Sequence, residues 1–265
     1  MSSITEVTPT ICKIMGIEPP SLSSKSTISK IIESAEWILG AENVKKILLY
    51  APDAIGEGLY YGFKDFFAPV KAIAPIEINM ISVLPTYTPV CFGSMFTGAQ
   101  PEQHGIRKYE KPILKCDTLF DALVRAGKKV AIVAVKDSSI DKVFRGRDID
   151  YYSEEYDDQV TERVLQLIVH KNYDLILVYH QEYDDLMHGS TPRDPKALDA
   201  FKRHLASFIK LSDSFNIKNR SSNRAIAFVP DHGTHIDPIT GKGAHGTDSS
   251  DDVNIRHLWG IYRGS

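Results

Sequence analysis

The sequence is short of cysteine, with three in 265 residues, at Cys12, Cys91 and Cys116. An odd, widely spaced set makes neither a disulfide framework nor a thiolate zinc site, and it suits a reducing compartment. Basic runs are also missing. Lys and Arg number 31 against 34 Asp and Glu, a net charge of -3. That balance excludes a protein that holds nucleic acid chiefly through its phosphates. No apolar run approaches the roughly 18–20 residues of a membrane helix. Residues 1–14 carry no basic cluster ahead of an apolar core, so no secretory leader and no membrane partner are expected, and the expected location is cytoplasmic. There is no internal repeat and no low-complexity stretch. What is present, 43% hydrophobic and 25% charged residues, is the balance of an ordinary folded domain and excludes disorder. The length fits a single catalytic domain spanning 1–265.

Short apolar runs recur along the chain at 46–52 (KILLYAP), 77–84, 129–135 (KVAIVAV), 173–179 (YDLILVY), 224–230 (RAIAFVP) and 255–262. They are continuous rather than alternating, the habit of strands covered on both faces. Between them lie helical patterns at 22–39, 117–126, 159–169 and 195–211. Strands alternating with helices predict an α/β fold, a doubly wound, mostly parallel sheet flanked by helices. The segments 54–70 and 138–159 are less regular and are expected to be loops, either lids over a site or plain surface connections. The acidic run Asp248, Asp251 and Asp252 is expected to be a solvated turn.

In such folds ligands sit at the C-terminal ends of the strands. There the sequence offers Asp53 after KILLYAP and Thr86-Tyr87-Thr88-Pro89 after the second run. Asp184 and His188 follow YDLILVY, and Asp231-His232-Gly233 follows RAIAFVP. A further His245-Gly246 stands in a Gly-rich stretch. Taken singly, a surface Asp or a core His is usually structural. As a set that follows apolar strands, these oxygens and imidazoles are metal ligands for zinc, with manganese also admitted by the donor types. Asp184 and His188 are spaced i,i+4, one face of a helical turn. Gly233 permits a turn beside Asp231 and His232. Residues 88–98 read as a helix with Thr88 at the N-cap and Pro89 in the first turn. A hydroxyl there, at a positive helix end and beside a metal, is a candidate nucleophile; on local sequence alone Thr88 would be only a cap.

The stretch 85–106, PTYTPVCFGSMFTGAQPEQHGI, resembles the nucleophile segment of the alkaline phosphatase superfamily, in its type I phosphodiesterase/nucleotide pyrophosphatase branch. The downstream Asp-x-x-x-His, Asp-His-Gly and His-Gly pieces stand in the family's order. The resemblance implies an alkaline phosphatase-like fold and a hydrolase acting on phosphoric esters. It implies two zinc ions about 4 Å apart. Asp184, His188 and His245 would hold one, and Asp53, Asp231, His232 and the nucleophile Thr88 the other. Thr88 would attack phosphorus, and the resulting phospho-threonine would then be hydrolysed. The implied partner is a small phosphodiester or nucleotide; the oligomeric state is unreadable.

Three departures from the family pattern matter. Diesterase-like members place an Asn two residues beyond His-Gly-Ile; this chain has Tyr109, whose hydroxyl can still donate to a phosphoryl oxygen. Some monoesterases carry Lys-x-Arg after the next strand; this chain has Lys136 without the Arg. Lys136 and the absence of an Asn at position 109 keep a phosphomonoesterase or phosphonate hydrolase open as an alternative, and the small size with the departures at Tyr109 and Ser138 keeps an idle, metal-stabilised nucleotide-binding module open as another. The segment 4–20, ITEVTPTICKIMGIEPP, resembles one that follows the last ligand in many members, which implies a circular permutation. His104 is read as structural, and His180 and His235 as weaker candidates for substrate contact. His170, His204 and His257 receive no role.

Overall fold

The computed structural model describes residues Met1–Ser265. In chain order the strands are β1 (Ser2–Ser3), β2 (Lys46–Pro52), β3 (Ile76–Ile81), β4 (Val130–Val135), β5 (Asp150–Glu154), β6 (Leu175–His180), β7 (Arg224–Phe228), β8 (His235–Ile236), β9 (Gly243–Ala244) and β10 (Asn254–Tyr262). Eight form one sheet in the order β1-β3-β10-β7-β2-β6-β4-β5, and β8 and β9 form a separate ribbon. All pairings in the main sheet are parallel except those of β10, which runs antiparallel to both β3 and β7. The doubly wound, mostly parallel sheet expected from the sequence is therefore present.

Every residue of β2, β4, β6 and β7 is buried. This is why these strands read as unbroken apolar runs: helices cover both faces, so neither set of alternate side chains meets water. One face packs helices Val7–Met15, Ser29–Leu39, Thr88–Thr97 and Leu119–Arg125 over Ile47, Leu49, Leu177 and Tyr179. The other packs helices Lys64–Ile73, Asp157–His170 and Pro195–Lys218 over Leu48, Tyr50, Ile176 and Val178. The period of two along β6 thus sends Tyr179 to the first face and the next residue, His180, to the second.

Several expectations need correction. Residues 54–70 are not a loop: they contain helix Glu57–Gly62 and most of helix Lys64–Ile73, whose interior Pro69 and neighbouring Gly58 and Gly62 weaken the helical signal. Residues 138–159 include helix Ser139–Val143 and β5, a half-exposed edge strand without the apolar run of the central ones. The acidic run is not a solvated turn throughout. Asp252 is fully buried and accepts hydrogen bonds from the Thr247 amide (2.9 Å) and hydroxyl (2.7 Å). No helix is long and apolar enough to cross a membrane.

Candidate metal centre and nucleophile

The strand ends converge on the first face. Asp53 follows β2 and is buried, and the next residue, Ala54, takes the left-handed conformation (φ 64°), an uncommon one for a side chain with a Cβ. That twist aims the Ala54 amide at Asp231, whose Oδ1 accepts it at 3.2 Å. After β7 the chain delivers Asp231 and His232, both fully buried. The glycine that follows them serves a purpose other than the expected turn. A Cβ on Gly233 would lie 2.1 Å from the Asp251 carbonyl oxygen and 2.9 Å from the Gly56 Cα. Close backbone approach, not a special dihedral, requires glycine there.

Thr88 is the first residue of its helix rather than the cap; Tyr87 takes the cap position. Its hydroxyl is free for another role. Thr88 Oγ1 lies 3.4 and 3.3 Å from the two Asp53 carboxylate oxygens and 3.4 Å from His232 Nε2. His232 Nε2 is in turn 3.4 Å from Asp53 Oδ1 and 3.4 Å from Asp231 Oδ2. The second group forms where helix Glu182–Gly189 meets the loop after β9. His188 Nε2 and His245 Nε2 lie 3.4 and 3.5 Å from Asp184 Oδ1 and 3.1 Å from each other. The groups abut, with the His232 and His245 rings stacked at 4.1 Å. His188 is the most exposed of the six, its side chain 43% accessible, so the site opens to solvent on that side.

These residues fit metal ions. Ligands about 2.0–2.1 Å from a tetrahedral ion lie about 3.3 Å from one another, close to the spacing in both groups. Asp184 Oδ1 and Asp231 Oδ2 are buried without a hydrogen-bond partner, a costly state that a cation would relieve. In all three imidazoles Nδ1 faces a backbone carbonyl. The partners are Gly233 O for His232 (3.0 Å), Gly243 O for His188 (3.1 Å) and Thr86 O for His245 (2.7 Å). Donation from Nδ1 leaves the Nε2 lone pair directed at the site. The electrostatics agree. Burial pushes the Asp53 and Asp231 carboxyls up, Asp53 further through the charge of Asp231. Burial pulls His232 down to about 4 and His245 down to about 3. His188 is raised by the Asp184 carboxylate 3.4 Å from its Nε2.

Two supporting residues were not found in the sequence. The Tyr179 hydroxyl donates a short hydrogen bond to Asp53 Oδ2 and fixes that carboxylate. Its only trace in the sequence is a polar tip within an aliphatic strand. Asp252 joins the loops after β7 and β9, since its carbonyl accepts the Gly233 amide (2.7 Å) and its carboxylate accepts from His235 Nδ1 (2.7 Å) and Thr247. His235, read as a substrate contact, is thus held at a structural position. His180, read the same way, projects to the opposite face. His104 has the expected structural place, with Nε2 2.9 Å from the Ser94 hydroxyl. Tyr109 is 60% exposed and leads through Tyr87 to His245, with ring centroids 6.1 and 5.9 Å apart. Lys136 is not brought to the site: it is exposed and pairs with Glu155 at 3.1 Å. A different cation, Lys111, lies over the Tyr109 ring at 5.6 Å.

A sequence model of the type I phosphodiesterase/nucleotide pyrophosphatase family matches residues 76–240. The chain belongs to that family. The matched span holds Thr88, Asp184, His188, Asp231 and His232, and the fold brings Asp53 and His245 to them from outside it. Members of this family act on phosphoric esters, and the superfamily around it is metal-dependent. The human GPI ethanolamine phosphate transferase 2, catalytic subunit, is 23% identical over 250 residues, which cover 89% of this chain and 23% of that protein. Solved structures share the family fold. Phosphonoacetate hydrolase from Sinorhizobium meliloti 1021, in complex with phosphonoacetate, aligns with TM-score 0.53 and 18% identity over 72% of this chain and 56% of its own. Murine ectonucleotide pyrophosphatase/phosphodiesterase 5, in an inactive form in complex with AMP, gives 0.54 and 17% over 72% and 57%. The C-terminal periplasmic domain of the phosphoethanolamine transferase EptC from Campylobacter jejuni gives 0.56 and 16% over 83% and 80%. The chain therefore spans less than a quarter of the curated relative and little more than half of the first two structures.

Proposed function

We propose that this chain is a metal-dependent phosphodiesterase in which Thr88 is the nucleophile. The observation that carries the reading is the position of Thr88 Oγ1, 3.3–3.4 Å from Asp53 and His232 and next to a second ligand group. Asp53, Asp231 and His232 would hold one ion with Thr88, and Asp184, His188 and His245 the other; zinc suits this donor set. Bound divalent ions supply positive charge for the phosphoryl oxygens in flight. The chain's own residues do the rest. Tyr179 holds Asp53 in place. The Thr88 oxygen forms the new bond to phosphorus as the bond to the departing alcohol breaks, and water later cleaves the phospho-threonine. Tyr109, at the exposed edge, would donate a hydrogen bond to the substrate.

The solvent-facing pairing of Lys136 with Glu155 weakens one of the two grounds for a monoester, the other being the absence of an Asn at position 109. The similarity to phosphoethanolamine transferases supports one further reading: an alcohol, rather than water, accepts the phosphoryl group. One unit spanning 1–265 is supported by the sheet, which takes strands from both ends of the chain. A permuted layout is supported by the opening segment, which lies beside β3 and against the Thr88 helix, where the Thr8 hydroxyl donates to Met95 O at 2.7 Å.

The test is hydrolysis of bis-p-nitrophenyl phosphate by zinc-loaded protein. Thr88→Ala is expected to abolish turnover with both ions retained. Full activity in that variant would refute the nucleophile. Product analysis with an added alcohol separates hydrolysis from transfer.

A further inference from the structure

On the second face, away from Thr88, lies another buried group that the reaction does not use: Asp157, His180 and His204. Asp157 opens helix Asp157–His170, His180 ends β6, and His204 is in the middle of helix Pro195–Lys218. One donor atom of each lies within 4.8 Å of the others. Apart from His204 Nδ1, which is buried without a partner, the group is closed on itself. His204 Nε2 is 2.8 Å from Asp157 Oδ2, a hydrogen bond, and His180 Nδ1 is 3.9 Å away. The two nitrogens of His180 already face the Tyr50 hydroxyl (2.7 Å) and the Thr161 hydroxyl (3.2 Å). The carboxylate has partners too. The Gln181 amide donates to Oδ1 (3.1 Å) and the Glu182 amide to Oδ2 (3.0 Å).

Those two amides open helix Glu182–Gly189, the helix that carries Asp184 and His188. Its first amides need acceptors. Gln181, at its N-cap, supplies no side-chain acceptor to those amides, its side chain donating to Asp185 instead. Asp157 takes that part from a separate helix, and its charge sits at the positive end of the dipole. Burial alone would raise the Asp157 carboxyl; His180 and His204 beside it reverse the effect and hold it well below the usual carboxylate range.

We infer that Asp157, clamped by His204, is a positioning residue that fixes helix Glu182–Gly189 so that Asp184 and His188 meet His245. This rests on the reading of the site given above. As a brace, Asp157 bonds directly to the start of the helix that carries Asp184 and His188, and reaches the other group only indirectly, through the His180 carbonyl that accepts the Asp53 amide at 2.8 Å, so its loss falls chiefly on the first. Changes to residues that orient ligands typically weaken metal binding about 10–100-fold.

The experiment uses zinc-loaded wild type, Asp157→Ala, Asp157→Asn and His204→Gln. Zinc affinity is measured by competition with a chelator, and anomalous diffraction at the zinc edge reads the occupancy of each group at limiting zinc. Asp157→Ala is expected to weaken the ion at Asp184, His188 and His245 at least tenfold and to leave the ion at Asp53, Asp231 and His232 within twofold. Excess zinc restores its turnover. Asp157→Asn, which keeps one acceptor for the amides, recovers part of the affinity. If Asp157→Ala does not fold, Asp157→Asn and His204→Gln carry the same selective loss at smaller size. Equal losses at both groups, unchanged affinities, or a third ion at Asp157, His180 and His204 would each overturn the brace while leaving the site reading intact. A wild type that takes up no zinc would overturn both.

Discussion

Two parts of this molecule hold the same three residues by type, one aspartate and two histidines: one beyond the C-terminal ends of the strands, the other beneath the helices of the second face. Around Asp184 the donor atoms stand 3.1–3.5 Å apart and one carboxylate oxygen has no partner. Around Asp157 one pair has closed to 2.8 Å, the carboxylate accepts two backbone amides as well, and the atom left without a partner is a ring nitrogen, His204 Nδ1, on the side away from Asp157. Composition is equal and burial is deeper in the second group, so neither decides. The deciding features are lone pairs left free and held at tetrahedral spacing, with the far ring nitrogens anchored on carbonyls. On the proposed reading the first group receives a cation, and the second spends the same chemistry on holding a helix.

The largest break in that contrast comes from removing a ligand. Asp231→Ala is expected to lose one zinc per chain and to lower kcat on bis-p-nitrophenyl phosphate by more than about a hundredfold, beyond what changes around a ligand alone cause; retained zinc with retained turnover would contradict it. Next comes Tyr179→Phe, which deletes the hydroxyl on Asp53 without altering the packing. It should weaken the ion at Asp53, Asp231 and His232 about tenfold, read by chelator competition, and spare the other ion.

The fold was legible where burial on both faces writes an unbroken apolar run, as in β2, β4, β6 and β7. It was not legible in β5, a half-exposed edge strand, nor in the direction of β10. Antiparallel pairing is a matter of partners, which a run such as 255–262 does not encode. The six ligand candidates and Thr88 were readable because each follows a strand and carries a reactive atom. Tyr179 and Asp157 were not. Their roles arise from contacts across 126 residues to Asp53 and across 47 to His204. Asp252 was misjudged because acids in series look solvated until the fold shows which one turns inward.

A smaller effect separates buried histidines that no ligand group uses. Burial pulls His104 and His257 down to about 4. As pH falls below about 6.5 the unfolded chain takes up these protons and the folded one does not. Each therefore removes stability between about pH 6.5 and 4, by at most about 1.4 kcal/mol per pH unit. Denaturant titrations of metal-free protein at pH 7, 6 and 5 should show a shallower decline in His257→Gln; an unchanged slope would contradict the assignment. The smallest effect is expected from Lys136→Ala. An exposed pair with Glu155 contributes little, and kcat/KM should change less than twofold. A tenfold loss would return Lys136 to the site.

The most direct measurement is the zinc content of purified, zinc-saturated protein, compared across one change in each group. The account predicts two ions per chain in wild type, one in Asp231→Ala, one in Asp184→Ala, and two in His204→Gln. No bound zinc in wild type, or three ions of which His204→Gln removes one, would contradict it.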